Sequence, residues 1–89
     1  MYAYVVIFTG VTRDAFVAYL RENDIDGVAN WSAYLPQTVF IQSDLTAQEL
    51  SRRLLVEIPG IARILVLDAK TDRSGRMPMT AWTFLSPEE

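Results

Sequence analysis

The chain has no cysteine, no histidine and a single lysine, Lys70, among its 89 residues. The first absence excludes disulfides and thiolate metal ligands. The second removes the most common general base and the most common metal-binding side chain. Any catalysis would have to run on carboxylates, hydroxyls, arginines or Lys70. Positive charge is also scarce, with 8 basic residues against 11 acidic ones and a net charge of −3. That balance argues against a surface that coats nucleic acid by general basicity, but it is compatible with a local basic patch. No apolar run is long enough to cross a bilayer, and Met1-Tyr2-Ala3-Tyr4 carries no basic leader. The expectation is a cytoplasmic protein with no membrane partner.

What is present points to one small folded unit spanning 1–89. A domain of this length buries about 60–65% of the surface its unfolded chain exposes, enough for a core without metal or disulfide. The hydrophobic fraction is 51%, towards the high side for a soluble domain. Surplus apolar surface on a small domain often becomes an oligomer interface, so a homodimer is expected.

A strand-then-helix pattern occurs twice. Tyr2 to Phe8 is β-branched and aromatic throughout, which predicts a strand buried on both faces. Thr12 is an N-cap candidate, and Ala15, Phe16, Tyr19 and Leu20 recur at helical spacing, so a helix is expected over Thr12 to Asn23. Asn23 and Gly27 bracket its stop, as residues suited to left-handed backbone. Val28 to Leu35 reads as a second strand with Trp31, Ala33 and Leu35 on one face. Pro36-Gln37 makes a tight turn into a third strand, Thr38 to Gln42. Thr46-Ala47-Gln48-Glu49 fits the capping box and opens a helix to Ile58. Its buried stripe is Ala47, Leu50, Leu54 and Ile58, with Glu49 and Arg53 spaced to pair. Arg63 to Ala69 is a fourth strand. The order β-α-β-β-α-β, with right-handed crossovers, predicts an α+β, ferredoxin-like domain: a four-stranded antiparallel sheet with both helices on one face.

Lys70 to Pro78 is a polar loop, and 78–89 form a C-terminal extension. Within 79–85, Met79, Trp82 and Leu85 fit one side of a short helix, while Thr80, Trp82 and Phe84 fit an added edge strand. A buried Trp82 needs a surface to pack on, and a second subunit is one source.

Topology then selects candidate sites. Thr9, Gly10, Gln37, Thr38 and Arg63 should meet at one end of the sheet, beside the first helix N-terminus. Backbone donors and an arginine there suit an anion or ligand site, and the same residues also suit packing and capping. Lys70, Arg73 and Arg76 share the polar loop and suit a phosphate backbone as well as plain solvation. Trp31 and Tyr34 are aromatic stacking candidates. Asp68 ends the fourth strand at the far end of the sheet from Thr9, and reads as a turn residue or a partner of Lys70. Asp24, Asp26 and Asp44 occupy turn or cap contexts. No phosphate-loop, paired-carboxylate or nucleophile motif is present, so no catalytic, metal or cofactor residue is assigned.

The segment Trp31-Ser-Ala-Tyr34-Leu35-Pro-Gln-Thr38-Val39-Phe40-Ile41, then Leu45 to Leu50, then Arg63 to Leu67, resembles the CRISPR-associated protein-two superfamily. The likeness is to its stand-alone SinR-like members, and Gly75 to Trp82 resembles the end of such proteins. The resemblance implies a ferredoxin-like protomer, a homodimer, and in some members metal-dependent endonuclease activity or nucleic-acid binding. It also implies a metal-binding aspartate at the end of strand one, where this chain reads Phe8-Thr9-Gly10. A threonine there cannot hold Mg²⁺ as a carboxylate does. The expectation is therefore a non-catalytic interaction module with a nucleic-acid association. A small-molecule or regulatory binding domain and a metal-dependent endonuclease are the alternatives.

Overall fold

The structure is a computed structural model and describes residues 1–70 and 74–86. Strand β1 (Tyr2–Thr9) is followed by helix α1 (Arg13–Glu22), strands β2 (Val28–Leu35) and β3 (Thr38–Ser43), helix α2 (Ala47–Glu57), strand β4 (Arg63–Asp68) and helix α3 (Met79–Phe84). The sheet order is β2-β3-β1-β4 and each pairing is antiparallel. β1 therefore lies between β3 and β4, and β3 between β2 and β1. These are the two interleaved split β-α-β units of the α+β, ferredoxin-like reading.

Both long helices begin as their sequences dictate. The Thr12 hydroxyl accepts from Ala15 N at 3.1 Å. Thr46 and Glu49 complete the capping box, with Thr46 N donating to Glu49 Oε1 at 3.0 Å and Glu49 N to Thr46 Oγ1 at 3.2 Å. The Glu49 carboxylate thus serves the cap and not the expected pair with Arg53. At the end of α1, Asn23 keeps an extended backbone (φ −132°), and the left-handed position falls on Gly27 (φ +94°).

One face of the sheet holds the main core. Tyr4, Val6 and Phe8 of β1 and Val39 and Ile41 of β3 pack against Phe16 and Leu20 of α1 and Leu50 and Leu54 of α2. Phe8 and Phe16 stack with ring centres 4.2 Å apart. Trp31 joins this core from β2, with the Arg21 guanidinium 5.9 Å above its ring.

The second face departs from expectation in two ways, and the C-terminal extension takes the helical one of its two expected forms. Strand one is not buried on both faces, because Ile7 is 39% exposed. A register shift between Ser32 and Leu35 turns Leu35 away from Trp31 and Ala33 and sets it opposite Thr38. The extension forms a helix that lies across this second face. Its anchors are Ala81 and Leu85, packed with Ala3, Phe40 and Ala69, while Met79 points outward at 79% exposure. Trp82 and Phe84 pack at the margin of this smaller cluster.

Candidate functional site

The residues expected at one sheet end do meet there, but most of their polar groups hold the fold. Gly10 (φ +96°) lets β1 turn against the α2–β4 connection. A Cβ on it would sit 2.5 Å from Ala62 N. Ala62 N donates to the Thr9 carbonyl at 2.8 Å. Gln37 takes the left-handed region (φ +53°) after Pro36, the φ pattern of a type II turn. Its side-chain Nε2 donates to the carbonyls of Phe8 (3.2 Å) and Val11 (2.9 Å), tying the β2–β3 turn to the β1–α1 turn. The Thr38 hydroxyl is buried and donates to Pro36 O at 3.0 Å. Thr9 and Arg63 face each other across the β1–β4 register and are exposed, beside a shallow pocket of about 160 Å³ that Ile7 and Leu65 also line. Gln37 lines a different pocket, with Thr12, Arg13 and Asp14. The five residues form a structural clamp with an arginine at its edge.

At the opposite end, Asp68 Oδ1 accepts from Lys70 N at 2.9 Å, which is the turn role expected of it. Lys70 and Arg76 are exposed, and Arg73 lies outside the described residues. Of the stacking candidates, Trp31 is half-buried against the main core. Tyr34 is hydrogen-bonded through its hydroxyl to Thr80 Oγ1 at 3.1 Å. Side-chain hydrogen bonding with Ser32, and secondly with Thr80, lowers its phenol pKa. Among the described residues, no group of three or more His, Cys, Asp or Glu is placed to hold a metal ion.

The sequence reading missed the feature that dominates the surface. Register places the second face in rows across the strands. One row runs Leu35, Thr38, Ile7, Leu65, and the next runs Ser32, Phe40, Val5, Leu67. α3 covers Phe40 and the neighbouring Ala3, and Gln42 Nε2 fastens it by donating to Phe84 O at 2.8 Å. Leu35, Ile7, Leu65 and Leu67 stay 39–52% exposed. The result is an uncharged apolar strip reaching from one sheet edge to the other. Adjacent strands are about 4.8 Å apart, so four of them make a strip roughly 15 Å long. A usable signal was in the sequence: β1 and β4 are apolar at both odd and even positions, in a fold whose two long helices cover one face. Between the strip and α3 runs a groove of about 370 Å³, floored by Val5, Phe40 and Leu67 and walled by Trp82, with Arg76 in its lining. Comparison of the chain with protein-family models, with curated proteins and with solved structures finds no match.

Proposed function

We propose that this protein is a non-catalytic interaction module that self-associates as a homodimer through the second face of its sheet. The observation that carries the reading is the apolar row Leu35–Ile7–Leu65 with Leu67 beside it, exposed and free of charged side chains. Exposed contiguous apolar surface of this kind marks an interaction site in a soluble domain. A flat sheet face related to its copy by a two-fold axis is self-complementary, because each residue meets its partner without a second evolved surface. The chemistry of the sheet ends supports a binding role over catalysis, since Thr9 stands where an acid would be needed and the polar groups beside it are engaged in turns.

Light scattering across a concentration series tests this. The expected mass at high concentration is twice 10.1 kDa. Leu65→Asp should give the single-chain mass with an unchanged circular dichroism spectrum. A wild-type mass near 10.1 kDa throughout would remove the dimer.

Nucleic acid is the partner class that the resemblance supports, with Lys70, Arg73 and Arg76 as the contact set. The expected result is binding of single-stranded RNA or DNA at low salt, with log affinity falling by about 0.7 per phosphate contact for each tenfold rise in salt. Replacing all three cations with glutamine should abolish it. No probe shift by wild type at low salt removes this partner and leaves the dimer reading intact.

A further inference from the structure

We propose that the groove between α3 and the sheet binds a small apolar ring compound carrying one carboxylate, with Arg76 receiving the carboxylate. Three observations converge on it. The groove has an apolar floor on the sheet and an aromatic wall on α3, Trp82, so a flat apolar body is held between two layers. Its volume of about 370 Å³ sits at the small end of ligand sites, which span about 300–1,000 Å³. That size favours one or two fused rings over a peptide or a dinucleotide. The third observation is charge. Arg76 lines the groove and has no hydrogen-bond or ion-pair partner among the described residues.

Asp68 also lines the groove, and its presence decides the sign of ligand that fits. Its Oδ1 accepts the Lys70 backbone N–H at 2.9 Å, which draws the carboxylate into that turn while leaving its negative charge in place, so the ligand's carboxylate must sit at the Arg76 end of the groove. The guanidinium at the rim is the uncommitted charge, and its planar fork matches a carboxylate with two parallel hydrogen bonds. A cationic ligand would leave Arg76 facing like charge. The site is separate from the clamp around Gln37 and shares only Arg76 with the proposed phosphate contact set, from which it differs because the ring must enter the groove for the carboxylate to be held.

The test uses naphthalene carboxylate, naphthalene methanol and naphthylmethyl ammonium as probes, followed by NMR of the full-length, isotope-labelled chain. It is run on wild type and on Leu65→Asp, so that failure of the groove and failure of self-association are read separately. The carboxylate should perturb Val5, Leu67 and the Trp82 indole saturably, and bind roughly threefold to tenfold tighter than the alcohol. The ammonium probe should bind weakest. Arg76→Gln should remove the difference between carboxylate and alcohol, and Arg76→Lys should restore part of it. The proposal is overturned if no saturable shift occurs in either protein, or if the shifts centre on Ile7 and Leu65. It is equally overturned if the charge preference survives Arg76→Gln.

Discussion

Within β1 and β3, the side chains facing α1 and α2 (Tyr4, Val6, Phe8, Val39 and Ile41) are all 3% exposed or less. On the other face of the same sheet, Ile7, Leu67 and Leu65 are 39%, 46% and 52% exposed. The two faces are built from the same residue types, so composition does not separate them. What separates them is cover: 10- and 11-residue helices on one side, a 6-residue helix on the other. The first face has the means to stabilise the monomer. The second has apolar surface left over, and that surplus is what a binding face requires.

The largest effect expected from this contrast comes from paired truncations. Phe16→Ala removes a fully buried ring from the closed face and should cost about 3–5 kcal/mol. Leu65→Ala on the open face should change monomer stability by less than about 1 kcal/mol. Urea unfolding at concentrations where the chain is monomeric measures both. Similar costs at the two sites would break the comparison, since they would mean that the open face is already packed in the monomer.

Leu85 probes the covered part of the second face. It is 4% exposed, so Leu85→Ala should cost about 2 kcal/mol, at the lower end for a buried leucine. The cost is capped by the docking free energy of α3, because a short terminal helix can detach while the sheet stays folded. A chain ending after Met77 should therefore lose no more stability than about the cap. Hydrogen exchange should show the loss confined to the neighbourhood of Ala3 and Phe40. If Leu85→Ala matches Phe16→Ala and exposes the whole sheet, α3 belongs to the main core and the faces are not separable.

How much of this was readable from the sequence follows the same division. The Thr12 cap, the Thr46–Glu49 capping box, the 3.6-residue spacing of Phe16 with Leu20 and of Leu50 with Leu54, and the strand order all follow from local chemistry and chain connectivity. The second face depended on contacts distant in sequence. A one-residue shift in β2 rotated Leu35 to the other side, and no local signal distinguishes a bulge there from a regular strand. The tail was ambiguous because Thr80, Trp82 and Phe84 alternate as in a strand while Met79, Trp82 and Leu85 fit one side of a helix, and the buried side proves to be Ala81 and Leu85, with Met79 exposed. Only the presence of Ala3, Phe40 and Ala69 beneath it decides for the helix. At the candidate site, topology put Thr9, Gln37 and Arg63 at one end of the sheet, with Gln37 on a different pocket from Thr9 and Arg63. It did not foretell that Gln37 would use its amide on Phe8 and Val11.

Gln37 ties the β2–β3 turn to the β1–α1 turn at one end of the sheet, and its substitution sharpens what the clamp contributes. Gln37→Ala loses two hydrogen bonds and keeps a positive φ, for an expected cost of about 1–2 kcal/mol. Gln37→Gly loses the same bonds but relieves the backbone strain, which is worth up to about 1 kcal/mol. The order of thermal stability should be wild type, then glycine, then alanine. A glycine variant more stable than wild type would show that the amide does not clamp the turns.

The smallest effect lies at the rim of the closed face, in the cap of α2. Hydrogen bonding to the Thr46 backbone, and secondly to its side chain, lowers the Glu49 pKa from the ordinary carboxylate value. A carboxyl with a lowered folded-state pKa stabilises the fold above its unfolded value, about 4.3. That contribution disappears as pH falls through the lower, folded value. Glu49→Gln keeps an acceptor for the Thr46 N–H but not the charge, so it should be slightly less stable than wild type at neutral pH. The gap should close on acidification below about pH 4. A gap that stays constant down to strongly acidic pH would assign the cap to hydrogen-bond geometry alone. The self-association proposed for Leu35, Ile7, Leu65 and Leu67 involves no titrating side chain in the strip itself. The wild-type and Glu49→Gln proteins should therefore keep equal dimer affinities at every pH where both are folded. Charge at the α2 cap then tunes the closed face and leaves the open one untouched.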